Sequence, residues 1–342
     1  MTDENNIHMK EKKVFKVLAI DGGGIKGLYS ARILEHFENR FNGAISDHFD
    51  LICGTSTGGL ITLALSLGIP ANEISQFYID KGPKIFPNQN KIVALLKQVL
   101  LNGKYKDHNF KKALNDIFGD KKIEDVNNLI CIPSYSLTDA RPWVFKYDHY
   151  RHNEDSLSRD NKTSCVDVAL ATSAAPTYLP IAELPIYDNR QFVDGGVWAN
   201  NPTLVGFIEA LKFFVGEGKE YDSLMVLSIS SLSLTGGLPI GLKRDRSFLH
   251  WRENLLDTFM TGQSLFTNYF MDTIKEVNDV SVNYVRVPSA SISSVQEHLV
   301  QLDNASKKSL DFLSAKGNDQ GEFYKKKKEI KQFFETKKTY KI

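Results

Sequence analysis

The 342 residues carry 42 Lys and Arg against 41 Asp and Glu, a net charge of +1, and 42% of them are apolar. That balance supplies a sizeable core and excludes a general electrostatic pull toward DNA or RNA. The cysteines (Cys53, Cys131, Cys165) are odd in number and lack C-x-x-C spacing, so a reducing cytosol is expected, with neither a disulfide framework nor a zinc site.

Residues 1–13, MTDENNIHMKEKK, are polar and lack the apolar core of a secretory signal. Val14 to Ile20 reads as a short, β-branched, buried strand ended by glycines. From Lys26 to Phe41, apolar residues at Leu28, Ala31, Leu34 and Phe37 keep a helical period. Phe49 to Cys53 is a second strand, and Gly58 to Leu67 a helix apolar nearly all round, hence buried. Residues 51–72 hold no charged side chain and are long enough to span a bilayer. Their five glycines and prolines and their many hydroxyls favour a strand, a turn and a buried helix instead.

Helical patterns follow near 72–80, 91–101 and 108–118, then strands over Leu129–Leu137 and Trp143–Tyr147. Cys165–Ala174 is a short apolar helix stopped by Pro176, Gln191–Val193 a short strand, and Asn201–Val215 a helix. Leu224–Ser230 and Val282–Val287 are further strands, and the last sixty residues read as mostly helical. Such alternation predicts an α/β fold with helices on both faces of the sheet. No linker composition or repeat divides the chain. One catalytic-size domain is expected over 14–315, with a basic helix over 316–342 packed on it. That last segment holds nine Lys against four acids. Phe323, Ile330 and Phe334 at helical spacing beside those lysines raise a second reading, an amphipathic helix lying on anionic lipid.

Chemistry concentrates in three places. Gly22, Gly24 and Gly27 spell G-x-G-x-x-G between a strand and a helix, the pattern of a dinucleotide-binding turn. Two features oppose that reading. Asp21 sits where a pyrophosphate would be repelled, and the acids at ribose distance, Asp47 and Asp50, lie before the second strand or at its start. The other use of bare amides is an oxyanion hole, with Gly22, Gly23 and Gly24 as the loop and Gly23 and Gly24 the best donors. Next, Gly54-Thr-Ser56-Thr-Gly58 falls where a strand meets a buried helix, the context a nucleophile elbow requires, with glycines relieving the crowding on either side of the serine. A Ser-His-Asp triad lacks a convincing histidine, since His250 and His298 both sit in helical patterns without catalytic context. Asp194, ahead of Gly195 and Gly196, is an alternative base, although Asp-Gly-Gly alone is a routine turn.

Taken in order, D-G-G-G-I-K-G at 21–27, G-T-S-T-G-G at 54–59 and D-G-G at 194–196 resemble the patatin-like phospholipase family, as do ATSAAPTYLP at 171–180 and DGGVWANNPTLVGFIEA at 194–210. The resemblance spans about Val14 to Ser230. It implies a three-layer α/β/α sandwich with a mostly parallel central sheet. It also implies calcium-independent hydrolysis of phospholipid acyl esters by a Ser56–Asp194 dyad with the glycines after Asp21 as oxyanion loop. Lys26 matches a basic residue of that loop, where it would anchor the loop or meet a phosphate headgroup. One departure is SISSLSLTGG after the Leu224 strand, whose glycines, Gly236 and Gly237, come later than in many bacterial members.

More narrowly, an IFP segment at 85–87, VDGGVWANNP and LDNAS at 302–306 are similar to bacterial patatin-like effectors of anti-phage signalling. That similarity implies a cyclic dinucleotide as activator and a cytoplasmic enzyme acting peripherally at the inner face of the cell membrane. No cofactor or metal is expected, and association between copies of the chain is left open. Two other classes stand beside this one. The first is an oxidoreductase binding NAD at 22–27. The second is a non-catalytic lipid-binding protein, which should have lost Ser56 or Asp194.

Overall fold

A computed structural model describes residues 13–87, 104–149, 157–233, 240–241, 244–245, 248–277 and 281–342. The expected 91–101 helix, most of the 1–13 tail and Gly236–Gly237 lie outside these residues. The eight strands are β1 (Val14–Ile20), β2 (Leu51–Gly54), β3 (Leu129–Ser136), β4 (Arg141–Lys146), β5 (Ala182–Leu184), β6 (Arg190–Asp194), β7 (Ser223–Ile229) and β8 (Ser281–Val287). They form one sheet in the order β5-β6-β3-β2-β1-β7-β8, with β4 also paired to β3. β3, β2, β1, β7 and β8 run parallel, whereas β4, β5 and β6 add antiparallel pairs.

Period-two alternation sends neighbouring residues of β1 to opposite sides. Leu18 and Ile20 join the larger core with α1 (Gly27–Phe41), α2 (Thr57–Ser66), α3 (Ala71–Ile85), α4 (His108–Phe118) and α5 (Cys165–Ser173). Phe15, Val17 and Ala19 join the second core with α6 (Thr203–Phe213) and α7 (Phe248–Val277). Helices on both faces bury the central parallel strands β1, β2 and β3 almost completely, which is why they read as mostly apolar runs, whereas the edge strand β8 stays part-exposed. The uncharged 51–72 stretch is β2, α2 and the start of α3, and no described helix is long and apolar enough to cross a membrane.

β3 uses one edge twice. Leu129–Cys131 pair with β2, and Ser134–Ser136 pair with β6. Since β4 holds the other edge, β2 and β6 lie end to end. β6 runs antiparallel, so Asp194 is delivered to the carboxyl end of β2.

The sequence reading put His250 in a helical pattern but gave no bounds for α7, a 30-residue helix behind the polar loop after β7. Residues 316–342 are also not one helix. α8 (Lys307–Tyr324) ends at the four-lysine run, α9 (Lys328–Phe334) follows, and an extended tail completes the chain. Ile330 and Phe333 are fully buried, Phe334 stacks on Phe41 with ring centroids 4.3 Å apart, and Phe323 is exposed. Phe323, Ile330 and Phe334 therefore share no membrane-facing stripe, because core contacts already consume two of them. Asp50 accepts the main-chain N–H groups of Thr339 and Tyr340 at 2.9 and 2.8 Å, which pins the tail beneath β2.

Phe333→Ala is expected to lower unfolding free energy by about 3–5 kcal/mol, the cost of emptying a buried aromatic site. Urea denaturation measures it, and a cost below about 1 kcal/mol would mean that α9 is only loosely attached.

Candidate active site

Parallel pairing of β1 with β2 sets Ile20 opposite Gly54. The two loops that follow these strands, 21–26 and 55–56, therefore emerge side by side. Ser56 is held at φ 54°, ψ −122°, immediately before α2. For a residue with a Cβ this left-handed conformation is strained. Packing holds it there. A Cβ on Gly54 would lie 2.0 Å from the Gly58 carbonyl oxygen, so only glycine lets the chain double back this tightly. The turn leaves Ser56 on the wall of a cavity at the amino end of α2, where negative charge is favoured.

Asp194 ends β6, 7% exposed. Its carboxylate accepts the Gly196 N–H at 2.7 Å, and the Ser56 side chain lies beside it on the same cavity wall. Burial pushes its pKa up to about 6, opposed by the Gly196 N–H and by the neighbouring Ser56 side chain. Thr172, at the end of α5, fastens both partners. Its hydroxyl accepts the Ser56 N–H at 2.9 Å and donates to the Pro133 carbonyl at 2.6 Å, and its carbonyl accepts the Gly195 N–H at 3.3 Å.

Among the glycines after Asp21, Gly22 is already engaged, since it donates its N–H to the Asn200 carbonyl at 2.9 Å. It therefore cannot serve as an oxyanion donor. The N–H groups of Gly23 and Gly24 have no partner among the described residues, and both residues border the same cavity as Ser56 and Asp194. Gly24 sits at φ 59°, and a Cβ there would lie 2.2 Å from the Leu302 carbonyl oxygen, which accepts the Ile25 N–H at 2.9 Å. Leu302 thus fills the space on one face of the glycine loop. Gly27 opens α1 against Thr57 and Tyr78, and Gly195 backs onto the Pro133 carbonyl. Lys26 is buried behind the loop, facing away from the Ser56 cavity.

The cavity has an empty volume of about 790 Å³ including its open mouth and is almost wholly apolar, walled by Leu60, Phe77, Ile85, Phe86, Phe110 and Met260. No described histidine lines it, and His298 lies exposed in a helical turn elsewhere.

Three contributors had escaped the sequence reading: Thr172, Asn200 and Arg286. Thr172 and Asn200 fall within blocks quoted for the resemblance, but only their tertiary contacts reveal a task. Arg286, on β8, clamps the buried Asp21 carboxylate through both guanidinium nitrogens, at 3.2 and 2.5 Å. Burial raises the Asp21 pKa and Arg286 opposes that rise. Asp21 is thus a structural anchor of the glycine loop.

A patatin-like phospholipase family model matches residues 18–206, more than half of the chain. The chain belongs to the patatin-like phospholipase family. Its relatives include a cGAMP-activated phospholipase of Pseudomonas aeruginosa, 31% identical over 305 residues, 89% of this chain and 87% of the relative. A cGAMP-activated phospholipase of Escherichia coli is 30% identical over 96% of this chain and 95% of its own length. Patatin-like protein 2 of Arabidopsis thaliana is 28% identical over 89% of this chain and 82% of that protein.

Arg286→Met should cost about 3–5 kcal/mol, because it strands a buried carboxylate. Adding Asp21→Asn should recover most of that loss. Thermal unfolding of the single and double variants checks it, and equal stabilities of all forms would show the pair to be inert.

Proposed function

We propose that this member of the family is a phospholipase A or lysophospholipase type acyl hydrolase in which Ser56 is the nucleophile and Asp194 its base. The observation that carries the reading is Ser56, Asp194, Gly23 and Gly24 lining one apolar cavity, with Ser56 close enough to Asp194 to act on its carboxylate. A fatty-acyl chain fits such a cavity, leaving its ester at the polar rim.

Asp194 accepts the hydroxyl proton as Ser56 Oγ attacks the ester carbonyl. The resulting oxyanion lies against the Gly23 and Gly24 N–H groups, whose fixed dipoles stabilise charge without reorganisation. Collapse breaks the ester bond, and Asp194 returns the proton to the departing lysolipid oxygen. Water then attacks the acyl-enzyme, Asp194 takes its proton, and Ser56 Oγ leaves with that proton as the fatty acid departs. The main-chain dipoles do the work a cation would otherwise do, so the route requires no calcium. An aspartate of ordinary acidity is a poor base, and the burial that raises Asp194 makes it a better one.

The cGAMP-activated phospholipases among its relatives support a further element, activation by a cyclic dinucleotide. With it goes the role of an anti-phage effector acting at the inner face of the membrane, as the VDGGVWANNP and LDNAS similarities imply.

Ser56→Ala should reduce hydrolysis of fluorogenic phospholipid vesicles by several orders of magnitude, and Asp194→Asn nearly as much, both remaining folded. An Asp194→Asn protein with full activity would end the dyad. For the parent, kcat/KM should fall tenfold per pH unit below about 6, where the base is protonated.

The same residue sets a stability trend. Its folded pKa lies above the ordinary aspartate value of 3.8, so its contribution is fully present below about 3.8 and is lost as pH rises through about 6. Ionised Asp194 therefore costs of the order of 3 kcal/mol at pH 8. Asp194→Asn should unfold at higher urea than the parent at pH 8 and lose that advantage at pH 4.

A further inference from the structure

The short blocks IFP at 85–87 and LDNAS at 302–306 have no task in the chemistry described above, yet the fold brings them together. Phe86 meets the edge of Tyr105, with ring centroids 5.4 Å apart at 76°. The Tyr105 hydroxyl donates to the Asp303 carboxylate at 2.8 Å, and the Lys104 ammonium pairs with the same carboxylate oxygen. Tyr105 is 7% exposed and Asp303 8%. A carboxylate this deep must be paired, and hydrogen bonds to a buried charge are shorter and stronger than neutral ones. The Asp303 side chain is therefore fixed in direction.

Its neighbour supports the oxyanion loop. The Leu302 carbonyl accepts the Ile25 N–H and lies so close to Gly24 that no Cβ would fit there. That carbonyl belongs to the planar peptide unit that ends at the Asp303 Cα. Holding Asp303 by its carboxylate thus sets the plane of the Leu302 carbonyl and, with it, the Ile25 N–H. Fixing that N–H fixes the peptide unit after Gly24, and the tight φ of 59° at Gly24 carries the constraint to the unit before, which presents the Gly24 N–H. Three residues on, Ser306 caps α8 by accepting the Ser309 N–H at 3.3 Å, so the segment is anchored from its other side as well.

Lys104 and Tyr105 also grip another wall of the cavity. Their N–H groups donate to the Thr177 and Tyr178 carbonyls, both at 2.9 Å. Tyr178, Phe86 and Leu302 all line the cavity that holds Ser56, whereas Asp303 does not. Thr177 sits at φ 71°, an unfavourable conformation for a β-branched residue, which its surroundings must enforce. The turn it belongs to follows α5, whose Thr172 fastens Ser56. Lys104 and Tyr105 therefore bridge the turn beside the nucleophile and the segment beneath the oxyanion loop, and the Asp303 carboxylate is where the bridge is tied.

We propose that Asp303 is a positioning residue for the hydrolysis: held by Lys104 and Tyr105, it sets the Leu302 carbonyl and so keeps the Gly23–Gly24 amides aimed at the place where the oxyanion forms. The assignment rests on the reading of Ser56 as nucleophile and of the glycine loop as oxyanion hole, and the experiment separates the two.

Parent, Ser56→Ala, Asp303→Ala, Tyr105→Phe and the double variant of the last two are compared in two assays on the full chain. One is hydrolysis of a soluble short-chain p-nitrophenyl ester. The other is the rate of labelling by an alkyl fluorophosphonate, which loses fluoride to a serine nucleophile and places its phosphoryl oxygen in the oxyanion hole. Asp303→Ala should lower kcat and the labelling rate together by about 10- to 100-fold, less than outright loss of a donor, with KM within about twofold of the parent. Tyr105→Phe should lose less, and the double variant no more than Asp303→Ala alone, because both act through one carboxylate. Parent values of kcat and labelling in Asp303→Ala would overturn the assignment. So would a loss that vanishes on cooling, the mark of partial unfolding. Should Asp303→Ala fail to fold, Tyr105→Phe, which removes a single hydroxyl, decides by the same readouts: a fall in kcat and labelling at constant KM supports the assignment, and parent values refute it. An unlabelled parent, or a Ser56→Ala protein labelled as fast as the parent, would instead remove the nucleophile and this assignment with it.

Discussion

The whole arrangement depends on the double use of one edge of β3. Its first three residues pair with β2 and its last three with β6, so two strands that never touch side by side meet end to end. Hydrogen-bond register in a sheet is fixed to the residue, and a slip of one would turn every side chain to the other face. The meeting of a hydroxyl from one strand end with a carboxylate from the other is therefore as rigid as the sheet. Thr172 adds a second tie at the same point.

That rigidity is what permits strain. Ser56 at positive φ and a buried, ionised Asp194 are each unfavourable locally, and both persist because the surrounding pairing leaves the chain no alternative. The glycine loop follows the same logic from its other side. Asp21 is clamped by Arg286, Gly22 by Asn200 and Ile25 by Leu302, and between these anchors only Gly23 and Gly24 keep amides to offer. A dipole held in advance loses nothing to reorganisation when charge develops.

Most of this frame was legible in the sequence because local signals carry it. Val14–Ile20 is a strand by composition and has those bounds in the structure, and His108–Phe118 shows its helical period openly. The G-T-S-T-G turn announces itself through its glycines. What stayed hidden depends on distant pairing. Nothing near Gly22 says that its amide is spent on a carbonyl 178 positions later, at Asn200. Arg286 looks like any charge on an edge strand until β8 is laid beside β7. The lysine-rich end suggested a single amphipathic helix because periodicity cannot tell a lipid-facing stripe from a core-facing one. Ile330 and Phe334 face the core.

The tail seated under β2 has an implication for biosynthesis. Asp50 and the Phe41–Phe49 wall stay uncovered until residues 330–340 have been made and have cleared the ribosome, although the segments bearing Ser56 and Asp194 emerge well before. The region around Asp50 would thus close only after the segments bearing Ser56 and Asp194 have been made, and fragments cut short before residue 330 would lack that cover.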